Sequence, residues 1–378
     1  MHDFLLKELT NTDMESELIN IGFDPVYTKK AKDKFQYKTF KIFDITVAQA
    51  NIIKQTAISV GADCGTHREV VTGKQAISSC VLGGSYSQLK KISEKLKYQP
   101  FGLKFLAEKI EENLKDVQLT KTKIMGILNV TENSFSDGGK YYSYENAIKH
   151  LHELIEDGAD VIDIGAESTK PYSNPVSAED QLEKIEPILK YIKEKNIKIP
   201  VSIDTRSAEV AKRCIDLGAD IINDVSGFDY DKNMPDVIAA SDVKVIIQHS
   251  QGTPDIMQDK PHYENLMDEI FINLKNKVDF ALSKGIKKEN IIVDPGIGFG
   301  KTRENNFEIL RRWKEFKTIG CPVLIGLSRK SLLNMQEADN ADKDVYSLAL
   351  DAVLMSENID YVRVHNVKIH KIFQNMLG

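Results

Sequence analysis

The stretch KIMGILNVTENSFSDGG at residues 123–139 changes character at its middle. Lys123 to Leu128 is an apolar run of β-formers without a turn residue, so it reads as a buried strand. From Asn129 polar and turn residues take over: Thr131, Asn133, Ser134, Ser136, Asp137, Gly138 and Gly139. A buried strand that opens into a polar, glycine-terminated loop is where α/β proteins place their chemistry.

The same alternation continues to the C-terminus. Further strand candidates are ADVIDIG (159–165), VSIDT (201–205), DIINDVS (220–226), KVIIQH (244–249), NIIVDPG (290–296), PVLIGLS (322–328) and YVRVH (361–365). Amphipathic segments such as SAEDQLEKIEPILKYIKEK and SAEVAKRCIDLG lie between them, and several end in Gly. The strands are near-continuous apolar runs, the pattern of strands covered on both faces and therefore parallel. Eight strand–helix units in roughly 255 residues match a (β/α)₈ TIM barrel. A doubly wound sheet is the alternative. The strand ends favour the barrel, because nearly all carry a polar residue: Asn129, Asp163, Asp204, Asn223, His249, Asp294, Ser328, and Arg363 with His365. In a barrel these ends converge on one mouth. Helix capping accounts for one such residue, not for eight.

Upstream, FKIFDITV suggests a strand, AQANIIKQTAISVG a helix, and REVVTGKQAISSCVLGG two short strands. SYSQLKKISEKLKY and PFGLKFLAEKIEENL read as helices, the first capped by Ser85 or Ser87. Residues 1–35 show no clear period. The expected organisation is a small N-terminal α/β extension over 1–119 and a barrel over 120–378. Net charge is −6 with Lys and Arg dispersed, which gives no reason to expect nucleic acid. No apolar run is long enough to span a bilayer, and the N-terminus lacks the apolar core of a signal peptide. Cys64, Cys80, Cys214 and Cys321 are scattered, as buried thiols of a reducing cytoplasm would be. Cys64 and His67 form a C-x-x-H without a second pair at zinc spacing.

Two chemistries meet at the expected mouth. Asp163, Asp204, Asp294 and Asn223 are acceptors suited to a heterocycle rich in N–H donors. Lys330, Arg363 and His365 are basic and suit a phosphate or pyrophosphate. Asn129 offers an amide oxygen to a hard cation such as Mg²⁺. DPGIGFGKT (294–302) is not a Walker A sequence; its glycines let backbone approach a planar ligand that Phe299 flanks.

In unbroken order, GILNVTENSFSDGG, DIGAESTKP, SIDT, IINDVSG, QGTP, DPGIGFGK, GLSRKS and RVHNV make the chain resemble the dihydropteroate synthases of folate biosynthesis. The ordered set is highly specific and covers about residues 120–377. The resemblance implies transfer of a dihydropterin-methyl group from its diphosphate to the amine of para-aminobenzoate, in a pathway that sulfonamides target. It places Asp204, Asn223, Asp294, Phe299 and Lys330 around the pterin, with Asp163 a further acceptor nearby. Asn129, Arg363 and His365 fall at the pyrophosphate and Mg²⁺ positions. Phe135, Thr169, Lys170, Pro171 and Ser331 surround the aminobenzoate, and Asp137 and Lys170 sit on two mobile loops.

These residue types suit a dissociative, SN1-like step. The aryl amine is already neutral, so the harder task is ionising the carbon–oxygen bond, where Asp163, Asp294, Lys330, Arg363 and His365 act. Nothing resembles a Ser-His-Asp or Cys-His arrangement. Four departures stand out. Lys170 replaces a usual Arg and loses its bidentate fork, Tyr172 replaces a common Gly, Gln248 a frequent Met, and Asn366 a frequent Asp. A pterin-dependent methyltransferase shares the acceptors but needs no pyrophosphate site. A non-catalytic homologue draws support only from the extension and Lys170. The resemblance further implies a cytoplasmic homodimer that handles small molecules, without membrane or nucleic acid.

Overall fold

The computed structural model describes all residues except 1–4, 11, 116–119, 131–143, 168–175, 252–260 and 334–338. Two units are separated by chain position, Met1–Gln118 and Leu119–Gly378. In the first, strands β1 (Tyr37–Thr46), β2 (Asp63–Thr66) and β3 (Ile77–Ser85) pair antiparallel in the order β1-β3-β2. Ile53, Leu82, Leu89, Ile92 and Leu96 are fully buried between this sheet and its helices. Ser85 caps the helix Tyr86–Leu96, and Gln88 closes the reciprocal bond of a capping box.

Two expectations change here. Residues 68–84 hold one strand rather than two: Arg68–Val70 is a 3₁₀ turn, and β3 finds its second partner upstream in Asp63–Thr66. DCGT is too short to show a period, so only pairing reveals it. The first 35 residues contain two helices, Met14–Asn20 and Pro25–Lys32, each capped by an Asp side chain. At two turns or so, neither is long enough to display amphipathic spacing.

The second unit supplies eight strands: β4 (Lys123–Asn129), β5 (Val161–Gly165), β6 (Val201–Asp204), β7 (Ile221–Asp224), β8 (Lys244–Gln248), β9 (Ile291–Asp294), β10 (Leu324–Ile325) and β11 (Tyr361–Val364). All pair in parallel in the order β10-β11-β4-β5-β6-β7-β8-β9. A parallel bridge between Val293 and Val323 joins the two ends, so the sheet closes into the (β/α)₈ barrel. Hydrogen bonding at the strand starts is reused around the ring. Asp160, Asp220 and Asp360 each precede a strand and accept an N–H at the start of a neighbouring one, from Ile124, Val201 and Val323 at 2.7–2.8 Å.

Strand period 2 positions the site. Outward side chains pack beneath the helices in one large core. Inward, Met125, Val161, Ile221, Ile246, Ile292, Leu324 and Tyr361 form an apolar layer drawn from seven of the eight strands. Two residues further along the same strands stand Asp163, Asn223, Gln248, Asp294 and Arg363. Asp204 on β6 pairs in register with both Gly165 and Asn223, which brings it to the same level. The apolar layer is the floor, and the polar layer above it is the mouth.

Candidate active site

Arg363 is the hub of the polar layer. Its Nε donates to Asp163 Oδ2 at 2.5 Å and its Nη2 to Asp204 Oδ2 at 2.6 Å. Asn223 Nδ2 donates to the same Asp163 oxygen at 3.3 Å. Asp163 Oδ1 and Asn223 Oδ1 are buried and have no hydrogen-bond partner among the described residues. Buried acceptors left open in this way are costly, by about 1–3 kcal/mol each, and mark where a ligand's donors belong.

Lys330 follows β10, the strand beside β11. Its Nζ donates to the Ile297 carbonyl at 2.6 Å and lies 4.5 Å from the centroid of the Phe299 ring. Its neighbour Arg329 turns the other way, bidentate on Asp344 at 2.7 and 2.8 Å, with φ +56° at that residue. The left-handed turn is what aims two adjacent basic side chains at different targets. Asn366 Nδ2 donates to the same Asp344 carboxylate at 3.3 Å. An Asp at 366 would set carboxylate against carboxylate, which accounts for Asn here.

Asp163, Asp204 and Asp294 share the mouth with Arg363, Lys330 and Lys301, and burial lowers the Lys301 ammonium to about 7 against the pull of Asp294. Burial lifts the Asp204 carboxyl to about 7, with Asp163 and Glu167 adding to the rise and Arg363 and Lys330 opposing it. Burial also raises the carboxyl of Asp294, against the pull of Lys330 and the Gly296 N–H. It lowers the Lys330 ammonium to about 8, with Asp294 opposing. For Arg363, burial disfavours the cation, but Asp163 and Asp204 outweigh it and the guanidinium stays charged.

His365 is neutral, its imidazole lowered to about 3 by burial and by Arg329 and Arg363. Ser328 Oγ accepts the His365 backbone N–H at 3.2 Å and lies 3.0 Å from Nδ1. The ring expected to be basic at His365 is therefore neutral.

Other expected residues are placed as follows. Phe299 and Asp294 belong to the loop that carries Lys330's carbonyl acceptor. Gln248 is buried and donates to the Val225 carbonyl at 3.1 Å. Asn129 ends β4 facing Gly165, where its Oδ1 lies 3.6 Å from the position a Gly165 Cβ would take. Phe135, Asp137, Thr169, Lys170, Pro171 and Tyr172 lie outside the described residues. Ser331 opens a 3₁₀ turn, Ser331–Leu333, and its side chain is also outside them. Among the described residues no group of three or more His, Cys, Asp or Glu could hold a metal. His67 Nδ1 instead accepts the Glu69 N–H at 3.2 Å.

Two features were not read from the sequence. Glu167 and Arg206 form a buried bidentate pair at 2.8 and 3.2 Å, with the guanidinium 4.1 Å from the Tyr230 ring centroid. Glu167 also accepts the Val176 N–H at 3.3 Å. Lys301 is buried against His249. In the sequence each is an ordinary charged residue next to a motif, and only its burial distinguishes it.

The pterin-binding enzyme family matches residues 125–365. A dihydropteroate synthase of Clostridium beijerinckii is 44% identical over 251 residues, which span 65% of this chain and 90% of that protein. Among solved structures, the Anaplasma phagocytophilum dihydropteroate synthase with bound 6-hydroxymethylpterin-monophosphate superposes with a TM-score of 0.62 at 41% identity, covering 68% of this chain and 98% of that one. The Yersinia pestis dihydropteroate synthase in a sulfonamide complex gives a TM-score of 0.65 at 30% identity, covering 69% of this chain and 94% of that one.

Proposed function

The chain belongs to the pterin-binding enzymes and, among them, to the dihydropteroate synthases, and from that premise we propose a role for each residue of the mouth. The enzyme is a transferase of folate biosynthesis. It condenses 6-hydroxymethyl-7,8-dihydropterin diphosphate with para-aminobenzoate, giving 7,8-dihydropteroate and pyrophosphate. The observation that carries the assignment of the pterin pocket is the pair of acceptors left open among the described residues, Asp163 Oδ1 and Asn223 Oδ1. They stand beside Asp204 and Asp294 in one buried layer, as the N–H edge of a pterin requires. Phe299 and Lys330 bound the pocket on the side of the Asp294 loop.

In the reaction the carbon–oxygen bond of the pterin methylene breaks and pyrophosphate leaves with the electron pair. The aminobenzoate nitrogen attacks the methylene carbon with its lone pair, and its proton passes to solvent. Arg363 and His365 stabilise charge growing on the leaving oxygens. Asp163 and Asp294 stabilise the electron-poor methylene left behind. Phe135, Thr169, Lys170, Pro171 and Ser331 are proposed to hold the aminobenzoate.

Asn129 is a single hard oxygen at a strand end, with no acidic cluster beside it among the described residues. That donor fits a Mg²⁺ arriving on the diphosphate better than a resident ion in a protein cage. When bound, such an ion neutralises charge on the pyrophosphate.

A cytoplasmic homodimer completes the proposal. Support comes from four buried free cysteines and from the exposed apolar side chains Val345, Val353, Ile372 and Met376 on the adjoining helices Asn340–Ser356 and Val367–Leu377.

Inhibition by a sulfonamide tests the aminobenzoate site. We expect it to be competitive against aminobenzoate and not against the pterin diphosphate; competition with the pterin would sink the placement. The pH profile tests the pterin pocket. Asp204 must be ionised to keep Arg363 paired, and Lys330 must be protonated to donate. kcat/KM for the pterin diphosphate then falls below about 7 as Asp204 takes up a proton, and falls again toward and above about 8 as the buried amines of Lys301, lowered to about 7, and Lys330 lose theirs, leaving a narrow bell. A flat profile across that interval would remove both assignments.

A further inference from the structure

We infer that Lys301, with His249 as its acceptor, is a positioning residue that fixes the Asp294–Lys301 loop and so sets where the Lys330 amine meets the pterin. The inference rests on the synthase reading above. It concerns a residue that lies behind the pterin pocket rather than in it.

Lys301 is only 3% exposed. A buried ammonium costs several kcal/mol unless its donors are met. Here all three have acceptors: His249 Nδ1 at 2.9 Å, the Phe299 carbonyl at 2.9 Å and the His249 carbonyl at 3.4 Å. His249 is held neutral by burial and by the neighbouring Lys301 and Lys277 cations, so its Nδ1 lone pair is free to accept. The three acceptors come from two elements, the residue that follows β8 and the loop that follows β9. Lys301 therefore ties one to the other.

The loop is built to run close against this anchor. A Cβ at Gly296 would sit 1.9 Å from the His249 carbonyl oxygen, and one at Gly300 2.6 Å from that of Gln251. Both glycines have positive φ, +71° and +65°. Two neutral tethers assist: Gly298 N–H to Asn306 Oδ1 at 2.8 Å, and Tyr263 OH to the Gly300 carbonyl at 2.9 Å.

The held segment carries both contacts of Lys330, the Ile297 carbonyl and the Phe299 ring. Phe299 is gripped through its own carbonyl by Lys301. Removing the ammonium frees that carbonyl and lets the ring and the Ile297 carbonyl shift. Lys330 then loses its fixed position without losing its charge.

A double-mutant cycle tests this, with steady-state kinetics on purified full-length protein. Lys301→Met is expected to raise KM for the pterin diphosphate about five- to tenfold and to leave KM for aminobenzoate within about twofold. In a Lys330→Met background the same change is expected to have no further effect, because there is no longer an amine to place. His249→Leu should reproduce Lys301→Met, and His249→Gln, which keeps an acceptor, should restore near-normal KM. Additive effects in the cycle would overturn the inference, as would equal rises in both KM values or no rise in either. If Lys301→Met does not fold, the two His249 variants decide the matter in the same way. Absence of turnover by the unmodified protein would instead overturn the synthase reading.

Discussion

Arg363→Met is expected to lower kcat about 10²–10³-fold, the range seen when one donor to a developing oxyanion is removed. The structure adds a second consequence. Arg363 is the cation that pairs with both Asp163 and Asp204, at 2.5 and 2.6 Å. Deleting one partner of a buried ion pair commonly costs about 3–5 kcal/mol, because the other charge is stranded. Here two carboxylates are stranded, and one can escape by taking up a proton. Asp204 is the candidate, since its folded pKa is already raised to about 7 from an ordinary 3.8. An acid whose folded pKa is raised contributes stability below the unfolded value, and loses it as pH rises through the folded one. Without Arg363 that pKa moves higher still. The melting deficit of the variant should therefore be smallest in acid and widen as pH climbs through about 7 and beyond. A deficit independent of pH would mean that Arg363 does not compensate Asp204.

Lys330→Met is expected to lower kcat/KM for the pterin diphosphate about 10- to 150-fold, the equivalent of a charge-assisted hydrogen bond of about 1.5–3 kcal/mol. The loss should appear mainly in KM for the pterin. Lys330 is tied to the Asp294 loop through the Ile297 carbonyl and has Asp294 as its principal counter-charge. Arg329 is a natural control. It is one residue away but bidentate on Asp344, so Arg329→Lys should affect stability more than pterin affinity. If the two substitutions change the pterin KM equally, the divergence of their side chains has no functional meaning.

Much of this architecture was legible in the chain, for identifiable reasons. The barrel strands are parallel and covered on both faces, so they appear as apolar runs that end in a single polar residue. Ile291-Ile292-Val293-Asp294 is the clearest instance, and in Val161–Gly165 the polar residue, Asp163, stands two places before the end. Strand period 2 turns that polar residue inward above Val161 and Ile292, and for this reason a linear pattern foretold a layer in space.

What was not legible depends on pairing across the ring. That Arg363 would lie between Asp163 and Asp204 follows from three strands meeting, and no local spacing records it. His365 looked cationic in the sequence because the burial that neutralises it, and the Ser328 hydroxyl on its Nδ1, come from a different strand end. Lys301 reads in the sequence equally as a substrate contact or a solvated lysine, for the same reason. Its acceptor His249 is distant in sequence and is brought close by the β8–β9 pairing. In the N-terminal unit, β2 escaped notice because four residues, Asp63–Thr66, gain their identity only from the ladder they join.

The measurement that bears most directly on the whole account is pyrophosphate release by the purified protein, given the pterin diphosphate and Mg²⁺, with and without para-aminobenzoate. Release that requires aminobenzoate, matched by dihydropteroate of equal amount, is the predicted result. Tight pterin binding without aminobenzoate-dependent release would contradict it, and would leave the open acceptors of Asp163 and Asn223 as a binding site alone.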